Sequence, residues 1–117
     1  MGEKFNFEKL QVYHEALSFS KKVYKITRSF PKEEMFGLTS QLRRAASSIP
    51  LNIAEGSSLT KSEFKNFLRR SRGSTYECIP IIEIALDNLY ITSGQFEELY
   101  DECRRLSKQT SALMNSL

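Results

Sequence analysis

The chain has 117 residues, of which 40% are apolar and 26% charged, and 17 basic against 14 acidic side chains leave a formal net charge of +3. That length supports one domain with a single core, here spanning 1–117, and apolar residues spread throughout exclude wholesale disorder. No apolar run approaches the roughly 20 residues of a membrane span, and the opening MGEKFNFEKL lacks the apolar stretch of a secretory signal, so a cytoplasmic protein is expected.

The first helix is expected near 7–29. Its apolar line runs through Val12, Ala16, Phe19, Val23, Ile26 and Phe30, with Asn6 as the cap and Pro31 as the stop. A second apolar line on the same helix, Leu10, Tyr13, Leu17 and Tyr24, is displaced by about 100° from the first. One bundle core needs only one stripe. The surplus is either a wide core face or a surface covered by another subunit, and Phe5, Phe7 and Phe67, which lack an obvious interior place, favour the subunit.

The second helix, near 37–55, carries Leu38, Leu42, Ala45, Ile49 and Ile53, and Gly56 is placed to end it. The third, near 61–91, opens on the capping box Thr60-Lys-Ser-Glu63 and follows the line Phe64, Leu68, Ser71, Thr75, Cys78, Ile82, Ala85 and Leu89. The fourth, near 93–115, opens on Thr92-Ser-Gly-Gln95 and follows Phe96, Leu99, Cys103, Leu106, Thr110, Leu113 and Leu117. Alternating steps of three and four are the repeat of helices packed nearly parallel. Short connections make neighbours antiparallel, so the fold class is all-α: an up-down-up-down four-helix bundle. Pro50 and Pro80 fall inside helices, where each removes a backbone bond, and kinks are expected at both. Gly73, in mid-helix, and the run Ala45-Ala46-Ser47-Ser48 are expected to let another backbone come close.

Catalytic patterns are missing. His14 is the lone histidine, the serines lie in no nucleophile motif, and no phosphate loop or dinucleotide fingerprint is present. Cys78 and Cys103 fall on apolar seams and read as small buried hydrophobes. No cofactor, no metal and no membrane partner is expected, and the chain reads as a non-enzyme.

Charge is distributed unevenly. Between residues 36 and 77 seven basic residues (Arg43, Arg44, Lys61, Lys65, Arg69, Arg70, Arg72) face three acids, whereas from Glu77 onward seven acids face three bases. Lys61, Lys65, Arg69 and Arg72 fall within about 80° on one face of the third helix, and Arg43 and Arg44 are expected to extend it from the second. Clustered cations displace counterions from a phosphate backbone, so this face is the candidate nucleic-acid-binding surface. An ordinary solvated helix face is the competing reading. Asn52 and Glu55 are polar among apolar neighbours, and a buried ion pair between Glu55 and an arginine of a neighbouring helix or subunit is expected.

These residues form a recognisable whole. Gln41-Leu-Arg-Arg-Ala-Ala46, Ser48-Ile-Pro50, Asn52-Ile-Ala-Glu-Gly56, Phe64-x-x-Phe-Leu68 and Gly73-Ser74 before Glu77 resemble the signature region of the 23S ribosomal RNA intervening-sequence proteins. Phe7-Glu-Lys-Leu-Gln-Val-Tyr13 fits that family's opening. Arg69, Arg70 and Arg72 stand where the family often has apolar residues, which makes this segment more basic. The resemblance implies a small bacterial four-helix protein that assembles as a ring-like homopentamer, and the chain is also similar to the accessory variability protein of diversity-generating retroelements, a pentameric partner of a reverse transcriptase and nucleic acid. The expected function is a homo-oligomeric bundle binding RNA or DNA through its basic face. The alternative is a protein-interaction scaffold whose arginines serve subunit or partner contacts.

Overall fold

The computed structural model describes residues 2–117. Four α-helices form an up-down bundle: α1 (Gln11–Thr27), α2 (Leu38–Gly56), α3 (Lys61–Asp87) and α4 (Ser93–Ser116). Each packs on the next in sequence, α2 with α3 most extensively, while α1 and α4 meet along a thinner seam. Phe19, Leu42, Ile49, Ile53, Leu68, Ile82, Leu99 and Leu106 are fully buried between them, and each such side chain contributes about 1.5–3 kcal/mol of burial.

Both capping boxes form. Thr60 Oγ1 accepts from the Glu63 amide at 3.2 Å and Glu63 Oε1 accepts from the Thr60 amide at 3.1 Å; Thr92 and Gln95 repeat the exchange at α4. Each threonine cap contributes about 1 kcal/mol. Polar seam residues bond locally or across helices. Thr75 donates to the Ser71 carbonyl and Thr110 to that of Leu106, while Ser71 Oγ reaches the Ile49 carbonyl of α2 at 3.0 Å. That last bond marks where the small run on α2 lets α3 approach its backbone.

Three boundaries differ from the sequence expectation. The start near residue 7 is a separate 3-10 turn, Asn6–Lys9, and Leu10 breaks it from α1 with extended backbone. Asn6 caps nothing; Glu8 Oε1 accepts the Phe5 amide, and the His14 ring bonds the Glu8 carbonyl at 2.6 Å. At its other end α1 stops at Thr27, short of Pro31, and the chain leaves through turns in which the Ser29 and Phe30 amides bond the Ile26 and Thr27 carbonyls. Helix α3 ends at Asp87 rather than 91. There the Tyr90 amide bonds the Ala85 carbonyl and the Leu89 amide that of Leu86, the bond pair of a Schellman turn. Leu89 takes the left-handed position with φ 61° and is 87% exposed, outside the core.

Gly56 and Gly73 exchange roles. A Cβ on Gly56 would lie 2.6 Å from Phe67 Cβ, so this glycine is where α2 and α3 touch. It is the last helical residue and has no positive φ, so it does not end α2 by left-handed backbone. A Cβ on Gly73 would meet nothing within 4 Å, which corrects the expected close approach there. Its face of α3 points outward.

Candidate functional site

The basic residues do not form one continuous face across α2 and α3. Arg43 turns to α1 instead. Its Nε donates to Thr27 Oγ1 at 2.8 Å, its Nη2 to the Tyr24 carbonyl at 3.5 Å, and its guanidinium lies 4.8 Å from the centre of the Tyr24 ring. The end of a helix presents unpaired carbonyls with partial negative charge, and Arg43 is engaged there rather than beside α3. Arg44, one residue on and turned by about 100°, is exposed.

Along α3 the cations separate further. Arg70 lies over the Phe67 ring at 4.5 Å, on the side that meets Gly56. Arg69 donates to Asn66 Oδ1 at 2.7 Å on its own helix. Arg72 crosses to α4, where its Nη1 donates to Ser111 Oγ at 2.9 Å. Lys61 is exposed and Lys65 half-buried. Among the described residues the ion pairs belong to Lys22, so none of these seven charges is neutralised within the chain.

Arg72 points to a surface the sequence reading missed. Antiparallel α3 and α4 enclose a groove of about 560 Å³, with Tyr76, Ile79 and Pro80 on one wall and Tyr100, Arg104 and Lys108 on the other. Arg104 stacks on Tyr100 at 5.1 Å, and Tyr100 packs beside Phe96. Cys103 forms part of the floor, and no carboxylate is among the lining residues. In sequence, Arg104 and Lys108 are submerged in an acidic stretch. A helical wheel of α4 carried the missing signal: Glu98 and Glu102 turn to α1, whereas Arg104 and Ser107 turn to α3.

The acids facing α1 are held by Lys22, whose Nζ donates to Glu98 Oε1 at 2.6 Å and Glu102 Oε1 at 2.5 Å. Burial pushes the Lys22 pKa down, but hydrogen bonding and charge from Glu102 and Glu98 outweigh it, and the net shift is upward. Glu15 Oε2, Glu102 Oε2 and Gln109 Oε1 on this seam are buried with no protein partner. The thiols are the opposite case: a hydrogen bond that the Cys78 thiol makes to Cys103, then burial, drives the Cys78 pKa far above the ordinary thiol value. Both cysteines are free and buried, and no group of three or more metal-ligating side chains occurs among the described residues. Among the described residues the groove is lined by aromatic, apolar and cationic side chains together with Thr75, Cys103 and Ser107.

Glu55 is exposed and has no ion-pair partner among the described residues, so the arginine pair expected for it does not form inside the monomer. Asn52 instead donates to the Ser48 carbonyl at 2.8 Å and Ser48 Oγ at 2.9 Å, and Ser74 donates to the same hydroxyl from α3. Of the second apolar line on α1, Leu10 and Tyr13 pack against the core, Tyr13 meeting Phe7 edge-on at 4.8 Å. Leu17 is half-buried and Tyr24 is 43% exposed. The surplus is therefore smaller than the sequence suggests. No helix is long and apolar enough to cross a membrane among the described residues.

The chain matches the family model of 23S rRNA-intervening sequence proteins over residues 8–112. A crystal structure of a protein of unknown function from the S23 ribosomal protein family of Bacteroides thetaiotaomicron is similar in fold. Its TM-score is 0.82 at 22% identity, covering 89% of this chain and 95% of that one. No curated protein matches. A match over most of its length means that the chain belongs to the 23S rRNA-intervening sequence protein family.

Proposed function

We propose that this member of the 23S rRNA-intervening sequence family is a cytoplasmic, non-enzymatic homo-oligomer, a pentamer, that binds single-stranded RNA or DNA along the basic side of α3 and α4. The observation that carries this reading is that Arg104 and Lys108 line a groove without a lining carboxylate, while Arg72 reaches across from α3 to Ser111 of the same helix α4. Lys61, Lys65 and Arg69 continue that side toward the start of α3. Unneutralised cations on a rigid two-helix surface displace counterions from phosphates, which supplies affinity without sequence information. Bends at Pro50 and Pro80 would curve α2 and α3 around the core and open the groove side.

The test is replacement of Lys65, Arg69 and Arg72 by glutamine. Single-strand affinity should fall, and the slope of log affinity against log salt should become shallower by about 0.7 per lost contact. The matched change of Glu97 and Asp101 to glutamine should leave binding intact or slightly stronger. Wild-type protein that binds no nucleic acid at about 50 mM salt, where phosphate contacts are strong, overturns the reading.

A scaffold is the second reading, and exposed Arg44, Leu51 and Glu55 on α2 favour it, since none has an ion-pair or core role among the described residues. Glu55 would then pair with an arginine of a neighbouring subunit. If the triple glutamine change dissociates the oligomer, the arginines belong to such contacts. Light scattering measures the assembly, and Leu17→Glu with Tyr24→Glu should lower its mass while helical circular dichroism persists.

A further inference from the structure

We propose that the groove between α3 and α4 holds an unpaired nucleobase, with the phosphates on either side of it lying against Arg104, Lys108 and Arg72. This rests on the nucleic-acid reading above and adds the part of the ligand that phosphate contacts leave undefined. The groove, at about 560 Å³, falls within the roughly 300–1,000 Å³ range of small-molecule sites. It therefore has room for a flat heterocycle.

Its surfaces suit a base. The Tyr76 ring stands 64% exposed at one lip and is not engaged in any aromatic pair or hydrogen bond among the described residues. Across the groove the Arg104 guanidinium is already stacked over Tyr100 at 5.1 Å, so the opposite wall presents a second planar, π-rich platform. Ile79 and Pro80 supply apolar wall between them. Bases stack on aromatic rings and on guanidinium planes, and cations beside those platforms take the backbone.

Two backbone features single out this stretch of α3. Pro80 has no N–H, so the carbonyl of Tyr76 loses its helical donor and remains an acceptor beside the Tyr76 ring. Exocyclic amines and ring N–H groups of bases are donors of the required kind. One turn earlier, Gly73 leaves α3 without a side chain where an added Cβ would meet nothing within 4 Å. A mid-helix glycine costs about as much as a lost cap and serves no contact within the chain, but it keeps the surface beside Tyr76 flat for an approaching strand. Charge complementarity argues for a polyanion as occupant: cations border the groove, and no carboxylate lines it.

The experiment compares a single-stranded oligonucleotide with an abasic sugar-phosphate oligomer of equal length, by fluorescence anisotropy, on wild type, Tyr76→Ala and Tyr76→Phe. Wild type should bind the base-bearing strand about tenfold tighter than the abasic one, the size of one stacked base. Tyr76→Ala should erase that difference while leaving abasic affinity and the salt slope unchanged, and Tyr76→Phe should restore it. Because Tyr76 is exposed, thermal melting of both variants should match wild type. Equal wild-type binding of both oligomers overturns the base pocket and leaves phosphate binding standing. No binding of either oligomer removes both. A change of oligomer mass in Tyr76→Ala would assign the groove to a subunit contact and also overturn the proposal.

Discussion

A methyl group on Gly56 would lie 2.6 Å from Phe67 Cβ and 2.9 Å from Phe64 Cδ1, so the end of α2 and the start of α3 meet with only hydrogen between them. Real side chains do not pack that closely. Gly56→Ala should therefore force the two helices apart and destabilise the bundle by about 1–3 kcal/mol. Gly73→Ala is the opposite experiment on the same pair of helices. Its added methyl meets open space, and helix propensity alone should stabilise by about 1 kcal/mol. Urea midpoints of the two variants, measured at one protein concentration, should move in opposite directions.

Leu89 occupies the left-handed position of the Schellman turn that ends α3, with φ 61°. A side chain there costs about 1–2 kcal/mol, and at 87% exposure this leucine recovers little by burial. Leu89→Gly should raise stability by about 1 kcal/mol, which for a domain of this size is on the order of 4 °C in melting temperature. A lower melting temperature would mean that Leu89 is covered in the assembled protein.

Lys22 ties α1 to α4 across the thinnest seam through Glu98 and Glu102. Its side chain is 29% exposed and that of Glu98 55%, so Lys22→Met should cost no more than about 1 kcal/mol. The folded-state pKa is raised, so the contribution is complete below the ordinary lysine value of about 10.4 and is lost as pH rises through the folded value above it. The stabilities of wild type and variant should differ at pH 7 and converge in strong alkali.

Glu55→Ala should change monomer stability by less than about 0.5 kcal/mol, since the carboxylate is exposed and unpaired among the described residues. The informative measurement is assembly mass alongside melting. A loss of several subunits with an unchanged subunit fold would identify Glu55 as an intersubunit partner, and a strongly lowered melt with intact mass would contradict its placement.

Cys78 and Cys103 are 0% and 2% exposed, and the Cys78 pKa is raised by its bond to Cys103 and by burial. The thiolate is the reactive form. Iodoacetamide at pH 8 should leave both residues unmodified in native protein and label both in denaturant. Rapid native labelling of Cys103 would show that the α3–α4 groove opens to its floor.

Helix number, order and most of the core were legible in the sequence because their causes are local. A 3.6-residue repeat sets which face is apolar, and Thr60 and Thr92 mark helix starts through bonds only three residues long. The same local rules failed at Asn6 and Leu89, where a turn on each side of a helix competed with its continuation. Tertiary structure alone decided which cations share a surface. The sequence fixes the angle at which Arg43 leaves α2 but not that the carbonyls ending α1 lie within its reach. Nor does it reveal that Arg72 would meet Ser111 on a helix running the other way, the helix that carries Arg104 and Lys108. Gly56 and Gly73 make the same distinction: each is a glycine in a helix, and only the position of a neighbouring helix makes one a point of contact and the other an open face.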